Sequence, residues 1–176
     1  MSMDATVFVI DDDLALQESL KWMMNSLGFN VKTFSNAFKF IEFYDGQAGC
    51  LLVDIRMPGM SGLELQNFLI ENDIQIPIIF ISAHGDIPIA VRAIKKGAID
   101  FLTKPCNDQK LLDCINKAIK LDQESRKTRT QKTKAKACYS SLTRRERQIM
   151  ACIIKGKLNK IISAELEISL KTVEAH

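Results

Sequence analysis

CLLVDIRMPGMSGLELQNFLIE, residues 50–71, is the stretch on which the fold turns. It opens with Cys50–Val53, apolar without alternation, as a strand buried on both faces must be. Asp54 ends that strand. Ser61 then stands in a capping position ahead of a helix-period segment, Gly62–Glu71.

The same alternation of strand and helix extends outward. Strand-like runs are expected at Thr6–Ile10, Phe29–Phe34, Ile76–Ile81 and Ala98–Leu102. Between them lie helix-period segments at Leu14–Leu27, Asn36–Tyr44, Pro88–Lys96 and Asp108–Leu121, the last capped by Asn107. Gly28, Gly46, Gly85 and Gly97 fall where helices end or loops turn. Five strands alternating with five helices predict an α/β, doubly wound, five-stranded parallel sheet covered on both faces.

Charge divides the chain of 176 residues in two. Residues 1–121 carry 11 Lys+Arg against 15 Asp+Glu; residues 122–176 carry 13 against 6, within an overall charge of +3. All nine phenylalanines and the single tryptophan lie in the first part. A large-cored acidic domain followed by a basic appendage suggests a polyanion-binding module attached to something else. There is no apolar run long enough to span a membrane, and Met1-Ser2-Met3-Asp4 does not begin a secretory signal. The five cysteines have no zinc-ligand spacing and read as reduced thiols of a cytoplasmic protein.

Residues 122–141, DQESRKTRTQKTKAKACYSS, are either a basic linker or an extension of the preceding helix. The final 35 residues read as three short helices, a small all-α domain. Thr143 and Glu146 form a capping box for Arg144–Ile154, Gly156 stops that helix, Asn159 caps Lys160–Leu166, and Ser169 caps a helix from Leu170.

Chemistry in an open parallel sheet gathers at the carboxyl ends of its strands. Asp11, Asp12 and Asp13 follow the first strand, Asp54 ends the third, Ser82 follows the fourth, and Lys104-Pro105 follows the fifth. Clustered carboxylates persist only where a cation sits among them or some stay protonated. Oxygen ligands of this kind suit Mg²⁺, and Lys104 and Ser82 supply a second cation and a hydroxyl donor. An aspartyl phosphate is the chemistry such a set allows. Asp13 serves as a cap for Leu14–Leu27.

The segments V-I-D-D-D (9–13), L-V-D-I-R-M-P-G-M-S-G-L-E-L (52–65), I-S-A-H-G-D-I-P-I-A-V-R-A-I-K-K-G-A (81–98) and D-F-L-T-K-P (100–105) resemble the receiver domain of two-component response regulators, in its NarL/FixJ branch. That resemblance implies a flavodoxin-like strand order 2-1-3-4-5. It implies Asp54 as phosphoryl acceptor from a sensor histidine kinase, Lys104 as the lysine pairing with the phosphoryl group, and a cis Lys104–Pro105 bond. It implies Mg²⁺ held by Asp11, Asp12, Asp54 and the Arg56 backbone carbonyl, and Ser82 and Phe101 as the switch pair. Dimerisation on phosphorylation is expected through the face of the fourth helix, fifth strand and fifth helix, including Ile87, Val91 and Lys95.

Residues 142–176, with L-T-x-R-E-x, G-K-x-N-K-x-I and I-S-x-K-T-V-E-x-H, resemble the LuxR-type helix-turn-helix. The resemblance implies DNA contacts by Lys160 and also Lys157 on phosphate, by Lys171, Thr172 and Glu174 in the groove, and by His176 near the backbone. The family's domain continues through the rest of the recognition helix and a fourth helix, absent from these residues. The third helix is therefore expected to fray, and Leu158, Ile161, Ile162 and Leu166 to lose part of their cover.

The expected organisation is a receiver over 1–121, a linker or helix extension over 122–141, and an incomplete helix-turn-helix over 142–176. The first functional reading is a phosphorylation-switched transcription regulator. A second is a receiver acting as phosphate sink or protein-interaction switch with a tail that does not bind DNA. Enzymes fit poorly. A haloacid-dehalogenase-like phosphatase wants an aspartate where Arg56 stands, and a flavodoxin wants a phosphate loop where three aspartates stand.

Overall fold

The structure is a computed structural model describing residues 5–83 and 87–175. Gly85 and His176, singled out above, lie outside the described residues. The chain divides into two compact units, one ending at Arg126 and the other beginning at Lys127.

The first unit carries β1 (Thr6–Ile10), α1 (Leu14–Ser26), β2 (Asn30–Phe34), α2 (Ala37–Phe43), β3 (Gly49–Asp54), α3 (Gly62–Glu71), β4 (Ile78–Ser82), α4 (Ile87–Lys95), β5 (Asp100–Thr103) and the first turns of α5 (Asp108–Ser141). All strand pairs are parallel, in the order β2-β1-β3-β4-β5. β4 and β5 each begin two residues later than periodicity suggests. The ladder decides this. Ile78 pairs with Leu51 and Asp100 with Ile79, while Ala98 is still held by the end of α4 through its N–H to the Ala93 carbonyl.

Residues alternate across each strand, so the sheet separates two cores. Phe8, Leu51, Val53 and Phe80 pack with Phe40, Leu65, Leu69 and Ala93 of α2, α3 and α4. Val7, Val9, Leu52, Ile79, Ile81 and Leu102 pack with Leu20 and Met24 of α1 and Leu111 and Ile115 of α5. Each such fully buried side chain contributes roughly 1.5–3 kcal/mol relative to exposure. The helices start where short polar side chains dictate. Asp13 accepts the N–H groups of Ala15 and Leu16, Asn36 that of Lys39, and Ser61 with Glu64 closes a reciprocal box. Glycine is required at Gly49, which has φ 151°; a Cβ there would lie 1.8 Å from the Thr6 carbonyl oxygen.

Residues 122–141 are helical, as a continuation of α5. Their first turn belongs to the first unit. Asp122 is 2% exposed; its Oδ2 accepts the Gly49 N–H at 3.0 Å and the Arg126 Nε–H at 2.6 Å. The guanidinium of Arg126 also donates to the carbonyls of Gly46 (2.8 Å) and Gln47 (2.7 Å). A latch of two residues thus ties the helix to the turn before β3. From Lys127 to Ser141 every residue is exposed.

The second unit continues with α6 (Arg144–Ile154), α7 (Asn159–Glu165) and α8 (Leu170–Ala175). The Thr143–Glu146 capping box forms, and Ser169 Oγ accepts the Thr172 N–H at 3.0 Å. Asn159 does not cap α7. Leu158 occupies the cap position without a side-chain bond, and Asn159 is already the first helical residue. Ile149, Cys152, Ile162 and Val173 form the core, with Leu166 and Ile168 against it. Leu158 and Ile161 are exposed, as expected. Ile162 is fully buried, contrary to expectation, because residues of α6 and α8 close over it. Among the described residues no helix is long and apolar enough to cross a membrane.

The latch is testable. Replacing Arg126 with Ala leaves the Asp122 carboxylate buried with its strongest partner gone. Because Arg126 is itself about one-third exposed, the expected loss in urea unfolding is about 1–3 kcal/mol, below the full penalty for orphaning a buried charge. A change under about 0.5 kcal/mol would show the contact to be idle.

Candidate functional site

Three strand ends of the first unit converge on one ammonium group. Asp11 directly follows β1, Asp54 closes β3, and Lys104 directly follows β5. Lys104 Nζ donates to Asp11 Oδ2 at 2.7 Å and to Asp54 Oδ1 at 2.6 Å. The second oxygen of Asp54 accepts the Arg56 N–H at 2.6 Å, and Asp11 Oδ1 accepts that of Asp13 at 2.9 Å. Asp11 is 1% exposed and Asp54 5%. Ser82, also buried, ends β4, and its carbonyl accepts the Lys104 N–H at 2.7 Å. The Lys104–Pro105 peptide is cis.

The electrostatics follow from burial. Desolvation pushes the Asp11 carboxyl above its usual range, despite Lys104 and the Asp13 N–H favouring its charged form. Burial also works against the Lys104 ammonium. Its bonds to Asp11 and Asp54 outweigh that and hold its pKa above that of an ordinary lysine. Both ways of tolerating crowded carboxylates, a cation among them and resistance to ionisation, are in use at once.

Two further residues build the pocket, and neither was picked out from sequence. Gln17 of α1 is buried; its Nε2 donates to the Asp11 carbonyl at 2.5 Å and the Phe34 carbonyl at 3.2 Å, fixing the turn that carries the acids. Its signal was available, since Gln17 stands in register with buried Leu20 and Met24 on the core stripe of α1. Gly62 lets the start of α3 approach β3 at its Asp54 end. A Cβ there would lie 2.4 Å from the Asp54 carbonyl oxygen and 3.1 Å from Phe80 and Val53.

Asp12 and Arg56 are exposed and line an open cleft of about 590 Å³ with Ile55, Met57, Pro58, Ser61, Leu63 and Ile89. Among the described residues no three His, Cys, Asp or Glu side chains form a ready metal cage. Mg²⁺ does not need one. It takes one or two carboxylates and keeps waters or substrate phosphate in its remaining positions. Two buried carboxylates, with a third and the Arg56 main chain lining the cleft, are hard oxygen donors of the kind that ion takes.

Phe101 of β5 pairs with Phe80 of β4 and is half-buried against the core face shared with α4. Along α4, Ile87, Val91 and Ile94 are exposed at helical spacing, with Lys95 beside them. In the second unit Lys160, Lys171 and Glu174 are exposed, while Thr172 is half-buried with its Oγ1 2.7 Å from Ser169 Oγ. Lys157 is engaged with Glu165, at 2.6 Å to Oε1, so its charge is already matched within the unit.

Comparison with known proteins places the fold. The family described as "Response regulator receiver domain" matches residues 7–116, and "Bacterial regulatory proteins, luxR family" matches residues 140–176. This chain belongs to the response regulators. It joins a receiver domain to a LuxR-type DNA-binding helix-turn-helix. It is 47% identical over 174 residues to response regulator protein TmoT of Ectopseudomonas mendocina, covering 98% of this chain and 79% of that one. It is 38% identical to transcriptional regulatory protein FixJ of Bradyrhizobium diazoefficiens, covering 100% and 86%. The solved structure of response regulator StyR is similar at TM-score 0.90 and 48% identity, over 98% of this chain and 88% of that one.

The raised pKa of Asp11 has a thermodynamic consequence. The folded state binds that proton more tightly than the unfolded state, so ionised Asp11 disfavours folding above its folded pKa, and the penalty fades as pH falls through it. Asp11→Asn is expected to raise the Tm at pH 7 in the presence of EDTA, with the gain over wild type shrinking as pH is lowered through the carboxylate range. A lower Tm at pH 7 would show that the bond to Lys104 outweighs the cost of burial.

Proposed function

We propose that this response regulator works in the cytoplasm, where it is phosphorylated on Asp54 by a sensor histidine kinase, and that phosphorylation controls DNA binding and transcription. One observation carries the reading: Lys104 joins the carboxylates of Asp11 and Asp54 at the carboxyl edge of the sheet, with the second Asp54 oxygen oriented by the Arg56 N–H.

In this reading an Asp54 carboxylate oxygen attacks the phosphorus of a phosphoimidazole in line. A P–O bond forms, the P–N bond breaks, and the kinase imidazole leaves. Lys104, already 2.6 Å from Asp54 Oδ1, follows the charge onto a phosphoryl oxygen. Asp11, Asp12, Asp54 and the Arg56 carbonyl would hold Mg²⁺, which when bound offsets the negative charge of acids and phosphoryl group. The hydroxyl of Ser82 bonds the phosphoryl group, and Phe101 turns into the space that Ser82 leaves. The product is an acyl phosphate; transfer occurs once per cycle, and the protein acts as a switch rather than an enzyme.

The stripe Ile87, Val91 and Ile94 on α4 supports homodimerisation through the face of α4, β5 and α5, since an apolar row facing water gains by being covered. In the second unit, exposed Lys160 supports a phosphate contact, and exposed Lys171 and Glu174 support reading by α8 in the major groove. Thr172, half-buried with its hydroxyl on Ser169, would stand beside them in that helix.

Intact mass after incubation with acetyl phosphate and Mg²⁺ tests the acceptor. Wild type is expected to gain one phosphoryl group and Asp54→Asn none; a gain that survives Asp54→Asn places the acceptor elsewhere. The same preparation on an operator-bearing fragment is expected to give a salt-sensitive gel shift that acetyl phosphate strengthens. Phosphorylation without any shift would leave a phosphate sink or protein-interaction switch.

A further inference from the structure

The second half of α5 is unlike any other helix in the chain. From Ser125 to Arg145 there are eight Lys and Arg residues and no Asp or Glu. Arg129, Lys132, Lys134 and Lys136 have no carboxylate three or four residues away in either direction, so none is neutralised by a helical neighbour. Arg129 and Lys132 stand at i,i+3 and Lys132 and Lys136 at i,i+4, where like charges repel along the helix surface. A helix polar all round normally rests on many ion pairs along its surface. This one holds only cations.

We propose that Arg129, Lys132 and Lys136 form a second DNA contact, a phosphate-backbone rail in the same unit as the helix-turn-helix. The proposal rests on the DNA-binding reading of that unit and extends it to a segment outside the matched luxR residues. At about 100° per residue the three side chains fall within a 60° sector of the helix. They are spread over about 10 Å of its axis, a length in which one strand of a duplex presents about three phosphates. Lys127 and Lys134 lie on the opposite side. Nothing apolar accompanies the charges. Residues 126–137 contain no large aliphatic or aromatic side chain, so they have no apolar face to bury in a membrane, and insertion there does not suit them. A duplex does. Its backbone needs only cations, and it is the ligand class of the domain that follows. Residues 127–176 together carry 12 Lys+Arg against 4 Asp+Glu.

The test is the salt dependence of binding by the full chain to a 30-base-pair duplex of random sequence, read by fluorescence anisotropy over a KCl series. Each phosphate neutralised contributes about 0.9 to the slope of log K against log salt concentration. The triple variant Arg129→Gln, Lys132→Gln, Lys136→Gln is expected to have a slope shallower by about 2.7. Glutamine keeps helix propensity close to that of lysine and arginine, and far-UV circular dichroism checks that the helix persists. Lys127→Gln with Lys134→Gln, on the other side, is expected to leave the slope where it was. An unchanged slope in the triple variant, with binding still weakened by Lys160→Ala, overturns the rail and leaves the helix-turn-helix reading standing. Equal loss per residue from both sides also overturns it, since that is the behaviour of diffuse net charge. A wild-type chain with no affinity for the duplex overturns both readings together.

Discussion

One ammonium group between two buried carboxylates is the constraint around which the first unit is arranged. Asp11 and Asp54 come from neighbouring strands, and Lys104 from the loop after the last strand of the sheet. They meet only because all five strands run parallel and end on the same edge. That edge needs support from beneath. Gln17 grips the turn carrying Asp11, the Arg56 N–H sets the Asp54 carboxylate, and the start of α3 presses against the Asp54 carbonyl at Gly62. The two apolar layers hold the strands, and the polar contacts aim what the strands carry.

The arrangement costs stability by design of its chemistry. A carboxylate as enclosed as Asp11 is poorly solvated, and Lys104 compensates only in part. The latch of Asp122 and Arg126 handles a buried carboxylate differently: Arg126 is itself held by the carbonyls of Gly46 and Gln47, while Asp122 Oδ1 stays buried without a hydrogen bond.

Much of this was legible in the sequence, for reasons that differ by element. β1, α3 and α6 have the bounds their periodicity and caps suggest, because Ser61 as a cap and Thr143 with Glu146 are local signals read within one turn. The site acids and Lys104 were legible because strand ends are found by locating strands. What could not be read depends on partners distant in the chain. Asp122 meets Gly49, 73 residues away, so the stretch that the sequence left open between linker and helix extension is helix, and its start lies inside the first unit. The starts of β4 and β5 are set by the ladder, which periodicity does not see. Asn159 looked like a cap, yet the preceding leucine takes that place and the asparagine starts the helix instead. The roles assigned to Asp54, Ser82 and Phe101 came from family resemblance, and the geometry supplies a physical setting for them.

The contact at Gly62 reaches beyond packing. The end of β3 is steadied there by main chain lying against main chain, with a hydrogen atom where any other residue would carry carbon. Residues 55–61 therefore behave as a strap of fixed length between two anchored ends. Inserting or removing one residue would drag either the carboxylate or the helix out of place. Variation in descendants of this protein should consequently accumulate in the outward-facing side chains of that loop and spare its length.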